Sequence, residues 1–89
     1  MSALHVRVRG RVQGVGFRWF VAERARSLGV SGWVRNTEDR CVEVVASGPE
    51  QALIELRRAL EQGPAAARVI GLEELAPAED VSGDFRVLR

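Results

Sequence analysis

The stretch GRVQGVGFR, residues 10–18, joins a segment with strand periodicity to one with helix periodicity. Residues 3–12 alternate in polarity, which predicts a strand with one buried face formed by Leu4, Val6 and Val8. A glycine-rich turn from a strand into a helix N-terminus directs backbone N–H groups toward one point and favours an anion there. The spacing is equally consistent with glycines that only make the turn.

The residues after this loop predict a helix that starts at Phe17 and ends before Gly29. Its apolar positions recur at helical spacing and are Phe17, Phe20, Val21, Ala25 and Leu28. Gly29 suits the left-handed position that ends many helices, because glycine has no Cβ to clash there.

Two strands and a second helix follow. Residues 30–36 and 41–46 are rich in β-forming side chains and flank a polar turn at residues 37–40, which predicts a hairpin. Pro49 lies near the first turn of the second helix, and Gly63-Pro64 ends that helix. The buried stripe of this helix comprises Leu53, Leu56 and Leu60, with Ala52 and Ala59 beside it.

The remaining residues predict two more strands. Residues 68–75 form a fourth strand whose imperfect alternation indicates a bulge, residues 77–83 form a loop, and residues 84–88 form a short fifth strand.

The element order β-α-β-β-α-β predicts an α+β fold, a ferredoxin-like sandwich with two helices on one face of an antiparallel-type sheet and a short C-terminal fifth strand. In this topology the first and second strands run parallel, with the third between them. The glycine loop ends the first strand and Asn36 ends the second. We therefore expect both at one edge of the sheet, about 10 Å apart and facing one pocket.

Composition limits the chemistry available. The chain has 89 residues and a formal net charge of +1, which predicts a single domain over residues 1–89 with no general attraction to nucleic acid. Cys41 is the only cysteine and His5 the only histidine, so neither an intramolecular disulfide nor a histidine-based catalytic pair can form. No apolar run approaches the length of a membrane span, and we expect a cytoplasmic monomer that uses no metal or cofactor.

The loop and Asn36 nevertheless suit one kind of reaction. Backbone N–H groups between Gln13 and Arg18 can converge on a phosphoryl group, and the Arg18 guanidinium can add a bidentate contact. Asn36 can orient a water molecule but cannot deprotonate it, although an asparagine before a turn is by itself ordinary turn chemistry. Without an acid, a base or a metal site, the substrate must be intrinsically reactive, and a carboxylic-phosphoric mixed anhydride fits.

The two segments GRVQGVGFR (residues 10–18) and GWVRN (residues 32–36) resemble the signature segments of acylphosphatases, and the resemblance extends over nearly the whole chain. It implies a ferredoxin-like sandwich that hydrolyses acyl phosphates to a carboxylate and inorganic phosphate without a metal or a covalent intermediate. It also implies that Arg18 binds the phosphoryl group and that Asn36 holds the attacking water. The corresponding phosphate-binding loop comprises the backbone amides of Gln13, Gly14, Val15, Gly16 and Phe17.

One position departs from the family pattern. The turn between the second and third strands often carries Asp-Gly in such proteins, whereas Asp39 is followed here by Arg40 and Cys41. A positive φ at Arg40 would cost roughly 1 kcal/mol relative to glycine.

Two alternatives belong to other functional classes. A non-catalytic phosphate-binding regulatory module of the same fold would bind phosphate without turnover. Acylphosphatase-like domains also occur inside larger carbamoyl-transfer proteins of hydrogenase maturation, and the 89 residues, which carry no partner domain, disfavour that version. RNA-recognition domains share this topology, and Arg7, Arg9 and Trp33 could lie on an open sheet face. Those domains stack bases on aromatics of their central strands, and the first and third strands here contain none, so RNA binding ranks last.

Overall fold

Over the residues that the structure describes, the fold consists of five strands and two helices. The computed structural model describes residues 2–77 and 81–89. The elements in chain order are β1 (Ser2–Arg11), α1 (Phe17–Leu28), β2 (Ser31–Asn36), β3 (Val42–Gly48), α2 (Glu50–Gln62), β4 (Arg68–Glu74) and β5 (Phe85–Val87). Of the loop predicted over residues 77–83, residues 78–80 lie outside the described residues.

Helix α1 has the predicted bounds and the predicted buried face. Phe17, Val21 and Ala25 are buried, and Phe20 and Leu28 pack against the core from its edge. Gly29 has φ 72° and ends the helix in the left-handed conformation, as predicted.

Helix α2 begins one residue after Pro49, which occupies the position before the first helical residue with φ −60°. Leu53, Leu56 and Leu60 are buried as predicted. The N–H of Gly63 donates to the carbonyl of Ala59 at 2.8 Å and closes the last turn.

The sheet has the strand order β4-β1-β3-β2-β5. Strand β3 pairs antiparallel with both β1 and β2, so these two strands run parallel on either side of it, as predicted. Strand β5 pairs parallel with β2, with Val87 opposite Val34, which makes the sheet mixed. The ends of β1 and β2 therefore lie at the same edge of the sheet.

A bulge interrupts the pairing of β1 with β4, as the imperfect alternation predicted. Arg9 faces Gly71 and Gly10 faces Val69, so Ile70 has no partner on β1. The side chain of Ile70 is accordingly exposed.

Both helices pack on one face of the sheet and enclose the core. Its largest fully buried side chains are Phe17, Phe85, Leu56, Leu60, Val6, Val8, Val12, Val21, Val34, Val42 and Val44. In the part of the chain that the structure describes, no helix is long and apolar enough to cross a membrane.

The turn between β2 and β3 contains the one departure noted in the sequence. Arg40 has φ 68°, the left-handed conformation in which a non-glycine residue is strained. The strain is local, because Thr37 closes the turn with its N–H donating to the Cys41 carbonyl at 2.9 Å.

Candidate active site

The loop between β1 and α1 takes its shape from two glycines in the left-handed conformation. Gly14 has φ 74° and Gly16 has φ 76°. A Cβ at either position would meet no atom within 4 Å, so glycine is needed for the backbone angle rather than for lack of space. The space beside the loop therefore remains open to a ligand.

The first turn of α1 has an uncompensated positive end. Gly16 is the N-cap residue, and it has no side chain to accept a hydrogen bond from the helix. The first turn also contains no acidic residue, whereas the first turn of α2 has Glu50. The free N–H groups and the helix dipole thus favour an anion at this point.

Arg18 adds the charge of its guanidinium group to the partial positive charge at the start of α1. This is unfavourable unless an anion lies nearby. Its side chain is half-buried, and Nη1 donates to the carbonyl of Leu88 at 3.0 Å. This bond uses one of the five N–H groups of the guanidinium. The N–H of Leu88 in turn donates to the carbonyl of Val34 at 2.8 Å, so the end of β5 fixes the position of Arg18 relative to β2.

Asn36 is the last residue of β2 and lies across the sheet edge from the loop, as predicted. It is half-buried and faces the same cavity as Gly14, Gly16, Phe17 and Arg18. The volume of this cavity is about 720 Å³. Five of the seven residues singled out from the sequence therefore line one space, while Gln13 and Val15 belong to the same loop without lining it.

The side chain of Gln13 makes hydrogen bonds that the sequence did not indicate. Its Nε2 donates to the carbonyls of Thr37 and Cys41, both at 2.9 Å. These two carbonyls belong to the turn that follows Asn36. Gln13 thus ties the anion loop to the strand end that presents Asn36.

Four further residues line the cavity, and the sequence motifs did not single them out: Val12, Trp19, Val87 and Arg89. Among the described residues that line it, two are arginines and none is acidic. The position of Trp19 off the apolar stripe of α1 was a usable signal for an exposed side chain. The positions of Val87 and Arg89 depend on the pairing of β5 with β2, which no short motif encodes.

Cys41 is poorly suited to act as a nucleophile at this site. The residue is buried immediately before β3, and burial, followed by the nearby charge of Asp39, raises the pKa of the thiol. A raised pKa keeps the sulfur protonated and unreactive. Within residues 2–77 and 81–89, no group of three His, Cys, Asp or Glu side chains is arranged to hold a metal ion.

The sheet face opposite the helices carries arginines that are already paired. Arg7 contacts Asp39 at 2.9 Å and Glu73 at 2.8 Å, and Arg35 contacts Glu43 at 2.6 Å. Because carboxylates neutralise the guanidinium groups of Arg7 and Arg35, these two arginines are poorly suited to bind an RNA backbone.

Fold and site together define a ferredoxin-like α/β sandwich with an anion-binding loop at the start of its first helix. The acylphosphatase family model matches residues 4–87. The chain therefore belongs to the acylphosphatase family, and it is a hydrolase of that family.

Known relatives agree along nearly the whole chain. An acylphosphatase of Koribacter versatilis is 52% identical over 82 residues, which are 90% of this chain and 74% of that protein. An acylphosphatase of Pseudomonas paraeruginosa is 51% identical over 90% of this chain and 89% of its own length. The crystal structure of an acylphosphatase from Bacillus subtilis superimposes with a TM-score of 0.93 at 34% identity, covering 100% of both chains.

Proposed function

We propose that this protein hydrolyses carboxylic-phosphoric mixed anhydrides by direct attack of water on phosphorus, with the loop of residues 13–17 and Arg18 holding the phosphoryl group. The observation that carries this proposal is that the glycine loop, Arg18 and Asn36 line one cavity. Small-molecule acyl phosphates are the substrates, and inorganic phosphate is both product and inhibitor.

The phosphoryl group binds at the positive end of α1. Backbone N–H groups of the loop and of the first helical turn donate to the phosphoryl oxygens, and Arg18 supplies two further donors. Another N–H of the Arg18 guanidinium donates to the Leu88 carbonyl and keeps the side chain in place. Because these donors are fixed before the reaction, they stabilise the charge on the equatorial oxygens in the transition state at no reorganisation cost. Arg89 adds a positive charge to the cavity wall.

Asn36 positions the attacking water. Its side-chain carbonyl oxygen accepts a hydrogen bond from the water, and its amide N–H₂ donates to the water oxygen. No general base is needed, because the transition state of phosphoryl transfer is loose and the nucleophile carries little charge. As the water oxygen bonds to phosphorus, the P–O bond to the acyl group breaks and the carboxylate leaves without protonation. Both protons of the water remain on the phosphate that forms.

The test is an assay with benzoyl phosphate in the presence of EDTA, comparing the wild-type chain with Arg18→Ala. We expect hydrolysis by the wild type and a loss of at least about 100-fold in Arg18→Ala, as is typical when a transition-state donor is removed. Equal activity in the two proteins would overturn the assignment of Arg18. Phosphate binding by calorimetry without any turnover would instead support a non-catalytic phosphate-binding module.

We also propose that the chain acts as a monomeric single domain in the cytoplasm. One sheet contains all five strands, which supports a single folding unit over the described residues. Sedimentation equilibrium checks the oligomeric state, and one cooperative unfolding transition checks the single domain.

A further inference from the structure

Two of the most exposed large apolar side chains line the cavity of the candidate active site. In the described part of the chain, five such side chains stand out, namely Trp19, Ile54, Ile70, Val87 and Leu88. Trp19, 67% exposed, and Val87, 38% exposed, line the cavity beside Arg18, and Leu88 follows Val87 directly. Exposed apolar side chains thus border the cavity in which a substrate would bind.

Trp19 contributes little to the packing of the fold. It is the third residue of α1 and lies off the buried face that Phe17 and Val21 form. A side chain of this size leaves a large apolar area in water, which is unfavourable unless a ligand covers it. The other tryptophan, Trp33, is half-buried and packs against Arg35 and His5 on the opposite side of the sheet.

The cavity is larger than a phosphoryl group requires. Its volume of about 720 Å³ is within the range of pockets that hold drug-sized ligands, about 300–1,000 Å³. A phosphoryl group bound at the start of α1 and at Arg18 fills only one end of it. The acyl group of a substrate bound in this way would extend into the remainder of the cavity, whose wall includes Trp19 and Val87.

We infer that Trp19, with Val87, is the specificity-determining surface for the acyl group and selects acyl phosphates with aromatic or bulky apolar acyl groups over short aliphatic ones. This inference rests on the function proposed above, since it assumes that the phosphoryl group lies at the loop and Arg18. An aromatic acyl group packs on the indole face, whereas an acetyl group is too small to cover it. Such packing acts on the bound substrate and not on the reacting bonds, so it changes KM more than kcat.

The kinetic test compares benzoyl phosphate with acetyl phosphate in the wild type and in Trp19→Ala. We expect KM for benzoyl phosphate to rise about 5–10-fold in Trp19→Ala, KM for acetyl phosphate to change by less than about twofold, and kcat to stay similar for both. Trp19→Phe should retain most of the preference. Trp33→Phe is the matched control, and it should leave the ratio of the two KM values unchanged.

A binding measurement isolates Trp19 directly. The chain has two tryptophans, so Trp19 alone reports in the Trp33→Phe variant. We expect benzoylphosphonate, in which a C–P bond replaces the scissile link, to change the Trp19 emission and to bind more tightly than acetylphosphonate. Calorimetry, which needs no tryptophan signal, should show that the same preference disappears in Trp19→Ala.

The possible failures are distinguishable. If neither substrate is hydrolysed, the proposed function is wrong. If both are hydrolysed and Trp19→Ala changes their KM values by the same factor, the proposed function stands and the role of Trp19 is wrong. An equal melting temperature in wild type and Trp19→Ala excludes a folding defect as the cause of the KM change.

Discussion

The side-chain amide of Gln13 donates a hydrogen bond from Nε2 to the carbonyl oxygen of Thr37 at 2.9 Å, and the same nitrogen donates to Cys41 at 2.9 Å. Gln13 belongs to the glycine loop, and Thr37 directly follows Asn36. The two halves of the candidate active site are therefore joined by a side chain and not only by the sheet. This link sets the distance between the phosphoryl group and the water in the proposed reaction.

Gln13→Ala should loosen the site as well as the fold. We expect the free energy of unfolding to fall by about 0.5–1.5 kcal/mol, because each of the two carbonyls loses one donor but keeps a backbone donor, and kcat/KM to fall about tenfold. Gln13→Glu should be worse, since a carboxylate would face both carbonyls. Thermal unfolding and benzoyl phosphate kinetics measure these effects, with Gln62→Ala at the exposed end of α2 as control. Wild-type kinetics in Gln13→Glu would rule out the linking role.

Arg18→Lys tests whether the site needs a planar guanidinium or merely a positive charge. An ammonium group cannot bridge two phosphoryl oxygens while also donating to Leu88 in the geometry that Arg18 uses. We expect kcat/KM to drop by about 100-fold or more. Arg58→Lys on the exposed side of α2 should have no effect. Near-normal activity in Arg18→Lys would refute the bidentate contact.

Asn36→Ala should separate turnover from anion binding. Because Asn36 is assigned to the water and Arg18 to the phosphoryl group, we expect kcat to fall about 100-fold while phosphate affinity changes by less than about twofold. Asn36→Asp should behave differently, since its negative charge also weakens phosphate binding. Kinetics and calorimetry on the same samples measure both quantities. Equal losses of turnover and affinity in Asn36→Ala would contradict this division of roles.

Periodicity predicted most of the fold because each element buries a face that its own sequence defines. The spacing of apolar residues predicted the bounds of α1 and the bulge opposite Arg9 and Gly10. The parallel pairing of β5 with β2 could not be predicted, because the sequence of a three-residue strand does not indicate which edge of the sheet is free.

The site was predictable only in part for a related reason. The placement of Arg18 and Asn36 beside one cavity could be predicted, because strand order brings two motifs to one sheet edge. The hydrogen bonds of Gln13 depend on the tertiary position of the turn after β2. The position of Arg89 beside the cavity likewise depends on the tertiary position of the end of β5. Neither residue type has a local pattern that reveals such a contact.

Arg40→Gly should stabilise the protein without changing its activity. The residue has φ 68°, and replacing it with glycine relieves a backbone strain of roughly 1 kcal/mol. Part of this gain is lost, because glycine has more conformational freedom in the unfolded chain. We expect the melting temperature to rise by a few degrees. Arg40→Ala is the matched control, since it keeps the Cβ and should keep the strain. A lower melting temperature in Arg40→Gly than in Arg40→Ala would contradict the prediction.

Glu43 should make the stability of the chain fall in acid. Burial acts to raise the pKa of this carboxyl group, but hydrogen bonds from His5 and Arg35 outweigh it and hold the pKa below its usual value. A carboxylate whose pKa is lowered by folding stabilises the folded state at pH values above its pKa in the unfolded chain, about 4.3. This stabilisation disappears as the pH falls through the lower pKa of the folded state.

Glu43→Gln should therefore cost about 1–3 kcal/mol of unfolding free energy near pH 6, because His5 and Arg35 lose a charged partner that is only 12% exposed. Below about pH 4 the difference from the wild type should shrink, since the wild-type carboxyl group becomes neutral as well. Urea unfolding of both proteins at pH 6 and at pH 3 measures this, with Glu55→Gln on the exposed face of α2 as control. A difference that is the same at both pH values would show that the charge of Glu43 is not what stabilises the fold.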